Sequence, residues 1–436
     1  MIKKIVKGLA VTAYRCLTHL IPTKKGLVVF DSFMGKSYSG SVRAIYERME
    51  KHRGSFSFEP VWVFTREALR KGLAASPDCR IVTYGTFSYY ILMSRASVWV
   101  FDTRHEGYLV KKRSQRYVQT WHGTPLKKLG ADIDTFSMKA ENADDEKYRE
   151  KALLKYKDKV AQESAKWDVL LSASPFTTKV FRSCFSYKGE ILECGYPRND
   201  VLFQINNAGA SAAGDTVEPE DTKDREPEDT KDREPADTKD REPGKKKNIL
   251  YAPTWRDDVY SGEGWWYGYE PSLDIEALEK ALGGEWTLTV KLHYLVKSDA
   301  DAFPKSAIES GFLRIARSSE DMAGLLKEAD VLITDYSSVM FDYALLERPM
   351  FFYAYDLERY RDKLRGWYFD FEQEAPGPIS RDTDSLIKDI VSLGTDRELT
   401  EKWQDKRKAF RDKFASFEDG HASECVAKKI ENFITG

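Results

Sequence analysis

Six histidines are spread over the 436 residues, and two of them stand where chemistry is easiest to arrange. His122 closes the run Tyr117-Val-Gln-Thr-Trp-His122 and is followed by Gly123-Thr-Pro-Leu-Lys-Lys128. His293 closes Thr287-Leu-Thr-Val-Lys-Leu-His293. Both follow strong β-rich runs, one in each half of the chain. Imidazole is the side chain best suited to take a proton near neutral pH. Gly123 permits close backbone approach, and Gly-Thr-Pro can open a helix whose free N–H groups face an anion. Lys127 and Lys128 add positive charge there. Two structural histidines at strand ends are the ordinary alternative. Matched positions, one of them set among Gly, Thr, Pro and Lys, favour chemistry.

A third cluster, Leu332-Ile-Thr-Asp335-Tyr-Ser337-Ser338-Val-Met-Phe-Asp342, ends another β-rich run in small hydroxyls. A helix is expected to begin at Ser337 or Ser338. Hydroxyls and N–H groups at a helix start suit a phosphate or a ribose, although an ordinary N-cap has the same appearance. Three arginines also follow such runs or lie in aromatic stretches: Arg198 in Gly195-Tyr-Pro-Arg-Asn-Asp200, Arg256 after Ala252-Pro-Thr-Trp255, and Arg365 in Arg-Gly-Trp-Tyr-Phe-Asp370. Each guanidinium suits a bidentate phosphate clamp, and each suits a surface ion pair equally. The sequence holds no P-loop, no Gly-x-Gly-x-x-Gly and no Gly-x-Ser-x-Gly elbow, and no two histidines have metal-ligand spacing. Asp132-Ile-Asp134 and Asp299-Ala-Asp301 match a metal–nucleotide pattern that an Asp-rich chain produces by chance. No protein-held metal or cofactor is expected. A Mg2+ ion arriving with a phosphorylated substrate remains compatible with this.

The elements that must position these residues alternate between β-rich and helical stretches. Strands are expected at Leu27–Phe33, Val61–Thr65, Arg80–Tyr84, Val98–Asp102, Tyr117–Trp121, Val169–Ser172 and Ile191–Cys194. A second series covers Ile249–Ala252, Leu288–Leu292, Leu313–Ile315, Val331–Thr334 and Met350–Tyr353. Many are continuous apolar runs, as in parallel strands buried on both faces with helices around them. Ligand sites in such sheets lie beyond the carboxyl ends of the strands, where the candidates sit.

Between the two series the octapeptide Glu-Asp-Thr-Lys-Asp-Arg-Glu-Pro occurs at Glu220–Pro227, repeats at Glu228–Pro235, and returns with one change at Ala236–Pro243. With its flanks it covers about residues 205–247 and has almost no apolar side chain to offset its ordering entropy. It reads as a charged spacer between an N-terminal half, 22–204, and a C-terminal half, 248–436.

Composition limits the alternatives. Hydrophobic residues make up 42% and charged residues 32%, and 68 Lys+Arg face 70 Asp+Glu for a net charge of −2. Such balance gives no pull toward nucleic acid. Five scattered cysteines without a Cys-x-x-Cys pair argue against a disulfide framework or a zinc site and suit a reducing cytoplasm. No run of about 18 apolar residues is present to span a bilayer. Residues 1–21 nevertheless place Ile2, Val6, Leu9, Ala13, Leu17 and Leu20 on one helical face beside Lys3, Lys4, Lys7 and Arg15. That pattern fits a helix packed on the domain surface or one lying in the interface of an anionic membrane.

Trp121-His-Gly-Thr-Pro-Leu-Lys-Lys-Leu-Gly130 resembles the hallmark of the CDP-glycerol glycerophosphotransferase family of teichoic acid polymerases and primases. Gly195–Asp200, Tyr251–Arg256, Lys291–His293, Thr334–Asp342 and Arg365–Asp370 resemble its later blocks in the same order, and Phe371–Ile379 continues into a Pro-Gly-Pro-Ile ending. The resemblance implies an α/β GT-B fold, two Rossmann-like domains whose parallel sheets face each other across a cleft. It implies transfer of a polyol phosphate, glycerol phosphate foremost, from a CDP-polyol to a hydroxyl of a lipid-linked polyol-phosphate or glycan acceptor, with release of CMP. It also implies a peripheral protein on the cytoplasmic face of the cell membrane. His122 and His293 match the two active-site histidines. Trp121, Gly123, Thr124, Pro125, Arg198, Pro253, Thr254, Lys291, Leu292, Ser337, Ser338 and Asp342 match positions lining the donor site. Two departures stand out: Gly40-Ser-Val precedes Arg43 where the family often has Asn-Pro, and His421 replaces a frequent Lys.

These readings combine into direct phosphoryl transfer with His122 as general base. His293, Arg198 and the Ser337/Ser338 helix start would stabilise the pyrophosphate. Two alternatives stay open here: a GT-B glycosyltransferase using a nucleotide sugar, and a membrane-attached binding module without catalysis. Retention of both histidines speaks against the second, and donor preference separates the first.

Overall fold

Apolar runs too long to alternate become strands buried on both faces. Every residue is buried in Ala96–Phe101, Val169–Ser172, Val331–Thr334 and Met350–Tyr353. The computed structural model describes residues 2–53, 57–72, 79–134, 146–208, 245–254, 272–292, 302–318, 320–363, 366–393 and 395–436. Within them the strands assemble into two parallel sheets.

The first sheet contains β1 (Lys24–Asp31), β2 (Glu59–Phe64), β3 (Arg80–Thr83), β4 (Ala96–Phe101), β5 (Arg116–Gln119), β6 (Val169–Ser172) and β7 (Glu190–Glu193), in the order β3-β2-β1-β4-β5-β6-β7. The second contains β8 (Lys247–Tyr251), β9 (Trp286–Val290), β10 (Leu313–Ile315), β11 (Val331–Thr334), β12 (Met350–Tyr353) and β13 (Ile379–Ser380), in the order β10-β9-β8-β11-β12-β13. All twelve expected strands are present, most displaced by a residue or two. The two-residue β13 was not expected, because so short an edge strand carries no periodic signal.

Both sheets share one winding. The chain starts centrally, works to one edge, and returns to the other side of its first strand. The reversal falls between β1 and β4 in one sheet and between β8 and β11 in the other, and crevices open outside the carboxyl ends at such points. Asp31 and Asp102 stand at the first reversal, and Thr254 and Asp335 at the second.

Sequence order and spatial order part company at the end of the chain. The last helix, Ala422–Thr435, packs Val426, Ile430 and Ile434 into the core of the first sheet, beside Val28, Phe30 and Trp62. Its start is capped from that half: the Asp200 carboxylate accepts from the N–H groups of Ala422 at 3.0 Å and Ser423 at 2.8 Å. The expected spacer is also shorter at its ends, since a helix covers Asp200–Ala208 and β8 begins at Lys247. The octapeptide repeat lies outside the described residues.

Residues Ile2–Thr18 form the expected N-terminal helix. Its far end rests on the first half, with the Tyr14 and Tyr90 rings 5.2 Å apart and Thr18 hydrogen-bonded to Ser94. Leu17 and Leu20 stay 55% and 78% exposed. Among the described residues no helix is long and apolar enough to cross a membrane.

Candidate active site

The His122 loop begins with strain. Trp121 adopts φ +53°, a left-handed conformation that costs a bulky residue on the order of 1–3 kcal/mol. Its neighbours hold it there. The Trp121 N–H donates to Gln119 Oε1 at 2.9 Å, its carbonyl accepts from Thr120 Oγ1 at 2.9 Å, and its ring meets Phe185 edge-on at 4.7 Å. The same indole stacks on the His122 imidazole, with ring centres 4.3 Å apart.

His122 itself is exposed along one edge while the protein crowds its other sides. Its Nδ1 lies 2.8 Å from the backbone carbonyl oxygen of Asp102. A carbonyl only accepts, so Nδ1 carries the proton and Nε2 presents a lone pair. Burial, assisted by the charges of Arg198 and Arg104, lowers the imidazole pKa to about 4. The ring is therefore neutral at physiological pH, with an acceptor nitrogen free to take a proton.

The second half of the chain completes this loop. A Cβ on Gly123 would lie 2.9 Å from Ser338 Oγ, so the strand ends of the two sheets meet closely at this glycine. Beyond it, the Lys128 N–H donates to the Gly366 carbonyl at 2.8 Å and the Tyr368 N–H to the Leu126 carbonyl at 2.9 Å. Tyr368 also donates its hydroxyl to Asp132 Oδ2 at 2.8 Å. The Gly-Trp-Tyr-Phe-Asp370 stretch thus clasps the segment after His122. Arg365, a candidate phosphate clamp or surface ion pair, lies outside the described residues, as do Trp255 and Arg256.

One four-residue segment ties the halves together from the other side. Arg198 grips the Asp342 carboxylate through Nη2 at 2.7 Å and Nε at 3.1 Å, and Asn199 Nδ2 donates to the same carboxylate at 3.0 Å. The guanidinium stacks on Tyr196 at 4.4 Å, and its buried Nη1 has no hydrogen-bond partner. Asn199 Nδ2 also donates to Glu418 Oε1 at 2.9 Å, which accepts from the Tyr196 N–H at 3.0 Å. Burial pushes the Glu418 carboxyl up to about 8, so it is largely protonated at neutral pH.

The second sheet contributes unevenly. The Thr254 N–H donates to both oxygens of Asp335, at 2.9 and 3.1 Å, beside half-buried Pro253. The helix Val339–Tyr343 starts where expected. Ser337 Oγ accepts from the Val339 N–H at 3.4 Å, and Ser338 is exposed. Lys291 turns elsewhere: its ammonium donates to the carbonyls of Arg317 at 2.5 Å and Glu320 at 2.8 Å, and burial lowers its pKa. Leu292 is a core side chain. His293 lies outside the described residues. The residues brought together are therefore Trp121–Pro125, Arg198, Ser338 and Asp342, with Thr124 and Pro125 buried. Among the described residues no group of His, Cys, Asp or Glu is arranged to hold a metal.

The family model for CDP-glycerol:poly(glycerophosphate) glycerophosphotransferases matches residues 13–432. The chain belongs to this family. It is 35% identical to the teichoic acid glycerol-phosphate transferase of Staphylococcus aureus over 433 residues, 98% of each chain. It is also 35% identical to the teichoic acid poly(glycerol phosphate) polymerase of Bacillus subtilis, covering 99% of this chain and 51% of that one. Among solved structures, a histidine-to-asparagine variant of a wall teichoic acid polymerase soaked with CDPG superposes with a TM-score of 0.76 at 32% identity, over 100% of this chain and 98% of that one.

Several residues that build this candidate site in the glycerophosphotransferase fold escaped the sequence reading. Asp102 orients His122, Asn199 holds the Asp342 carboxylate that Arg198 grips and is itself held by Glu418, and the Gly366–Tyr368 backbone clasps the His122 loop. Only Asp102 left a trace in sequence, as a carboxylate ending an apolar run at a sheet reversal. The others act through backbone groups or across large sequence separations.

Proposed function

We propose that this chain transfers glycerol phosphate from CDP-glycerol to a hydroxyl at the end of a lipid-linked teichoic acid acceptor, releasing CMP. The observation that carries the reading is the His122 loop. A neutral imidazole with its Nε2 lone pair outward sits where the two sheets' strand ends meet, next to a buried guanidinium with one unpartnered nitrogen. Family membership, the names of the glycerol-phosphate relatives and the CDPG soak of the related polymerase support the donor.

In this reading the halves form a GT-B pair with the donor between them. The acceptor oxygen attacks the β-phosphorus in line, a P–O bond forms to it, and the P–O bond to CMP breaks. The acceptor proton passes to His122 Nε2, a step worth about 10²–10⁴ in rate. A base with a pKa near 4 is weak in the empty site, but the negative charges of a bound pyrophosphate raise it toward the working pH. Arg198 Nη1, the Ser337/Ser338 helix start and His293 stabilise the charge on the pyrophosphate. Positioning supplies most of the remaining catalysis, with any Mg2+ arriving on the donor. Lys291 supports the site by holding the loop after β10. The N-terminal helix and the turn after it, with Leu17 and Leu20 outward, rest on the cytoplasmic face of the membrane, where a lipid-linked acceptor presents itself.

CMP release from CDP-glycerol, CDP-ribitol and UDP-sugars, each with a synthetic lipid-linked glycerol phosphate acceptor, tests this proposal. Turnover is expected with CDP-glycerol foremost. Sugar transfer without CDP-polyol turnover refutes it.

A further inference from the structure

The turn after β1 is strained in a way the transfer reaction has not yet used. Phe33, Met34 and Gly35 take φ values of +49°, +57° and +71°, three successive left-handed residues of which two carry bulky side chains. Such a conformation persists only when its surroundings over-determine it. Two buried carboxyl groups do so. Asp31 Oδ1 accepts from the Gly35 N–H at 2.6 Å. Asp102 Oδ1 accepts from the Phe33 N–H at 2.8 Å, and its Oδ2 accepts from Ser32 Oγ at 2.7 Å. The Gly35 carbonyl in turn accepts from the Thr65 N–H at 2.7 Å.

Asp102 therefore grips two things at once. Its side chain fixes the turn, and its backbone carbonyl holds His122 Nδ1. The turn places the half-buried Phe33 ring 5.8 Å from the imidazole. Ser338 approaches the same loop from the second sheet, at Gly123. Phe33 thus walls the imidazole on the first-sheet side. An aromatic face there suits the carbon chain of a polyol lying against the exposed imidazole.

We propose that Asp102 is a positioning residue for acceptor attack, setting the Phe33 wall through its carboxyl group and the His122 tautomer through its carbonyl. This rests on the reading of His122 as the base. Charge is not what the geometry asks of Asp102; an acceptor for the Phe33 N–H is. Asparagine can meet that need. Its Oδ1 accepts from the Phe33 N–H and its Nδ2 donates to Ser32 Oγ, whose own proton turns to the Ser39 carbonyl 3.2 Å away.

The test uses the full chain, CDP-glycerol and a synthetic lipid-linked glycerol phosphate acceptor. Asp102→Ala should lower kcat/KM for the acceptor by about 100-fold, the loss expected when reacting groups drift by about 1 Å. The CDP-glycerol Kd should stay within a fewfold, and 15N spectra of His122 should keep the single Nδ1–H tautomer, because the backbone carbonyl survives the substitution. Asp102→Asn should restore most of the acceptor kcat/KM. Phe33→Gly, which keeps the left-handed turn without strain and so folds, should weaken acceptor use in the same direction. Wild-type acceptor kinetics in Asp102→Ala or Phe33→Gly, equal loss of donor affinity, or an Asp102→Asn as defective as Asp102→Ala would each overturn the proposal. His122→Ala, measured alongside, keeps the two ideas apart. Retained CMP release there removes the base itself, whereas loss there together with a wild-type Asp102→Ala removes only the positioning role.

Discussion

Arg198 carries two burdens that a pair of substitutions can separate. It holds Asp342 in a two-point ion pair with both side chains only 12% exposed, and its buried Nη1 has no partner and, in the proposed reaction, meets the donor phosphate. Arg198→Met leaves the Asp342 carboxylate without its counter-charge. Breaking one side of a buried pair costs about 3–5 kcal/mol. Asn199 still donates to that carboxylate, so about 3 kcal/mol is expected, a fall in Tm of roughly 6–12 °C for a half of this size. Removing both partners with Arg198→Met/Asp342→Leu replaces the pair by apolar groups of similar volume, and stability should largely return. Donor affinity should not. A hydrogen bond from a charged group contributes about 1.5–3 kcal/mol, so the CDP-glycerol Kd of the double variant should stay about 10–150-fold weaker. Calorimetric melting and isothermal titration with CDP-glycerol measure the two quantities separately. A double variant that recovers full donor affinity along with stability refutes the role of Arg198 at the phosphate. An Arg198→Met that melts with the wild type refutes the energetic reading of the pair.

Other outcomes follow from the same geometry. His122→Ala should abolish CMP release with donor affinity within a fewfold, because a general base acts on the acceptor proton. Since burial lowers the His122 pKa in the empty site, its neutral base form is present above about 4 and lost as pH falls through that value, so the acid limb of kcat/KM for CDP-glycerol, which reports the free enzyme, should lie well below pH 6.5; a limb at 6.5 contradicts the tautomer and burial argument. Glu418 has the opposite sign. Its carboxyl is raised to about 8, so its contribution to stability is full below pH 4.5 and lost as pH rises through 8, and Glu418→Gln should flatten the decline of Tm between those values. Gly130→Ala places a Cβ 2.1 Å from the Cys184 carbonyl oxygen at φ +54° and should cost at least about 2 kcal/mol, read as lowered Tm. Deleting the three octapeptides, Glu220–Pro243, should leave Tm and turnover nearly unchanged, because apart from Ala236 and the three prolines they carry only charged residues and threonine.

Much of the molecule was legible in one dimension because its signals are local. Continuous apolar runs such as Val331–Thr334 mark strands buried on both faces, since an apolar side chain on either face has nowhere else to go. A histidine, two serines or an arginine placed just after such a run lies at a carboxyl end whatever the strand order. That is why Trp121–Pro125, Arg198 and Ser338 were expected at a site and were found together. Long-range decisions were not legible. Lys291 follows a strand like the others, but its ammonium is taken by two carbonyls from the loop after β10, a choice made by which loop folds over it. Asp342 matches a donor-site position, yet its carboxylate is held by Arg198 and Asn199, more than a hundred residues away in sequence. The left-handed Phe33-Met34 turn cannot be read from residues that disfavour it, because its conformation is imposed by Asp31 and Asp102. The sequence alone determined which residues end strands and what chemistry they can offer. The tertiary structure decided which of those groups keep a free lone pair or a free N–H, because a hydrogen-bonding capacity spent on a distant partner looks, in sequence, the same as one left open.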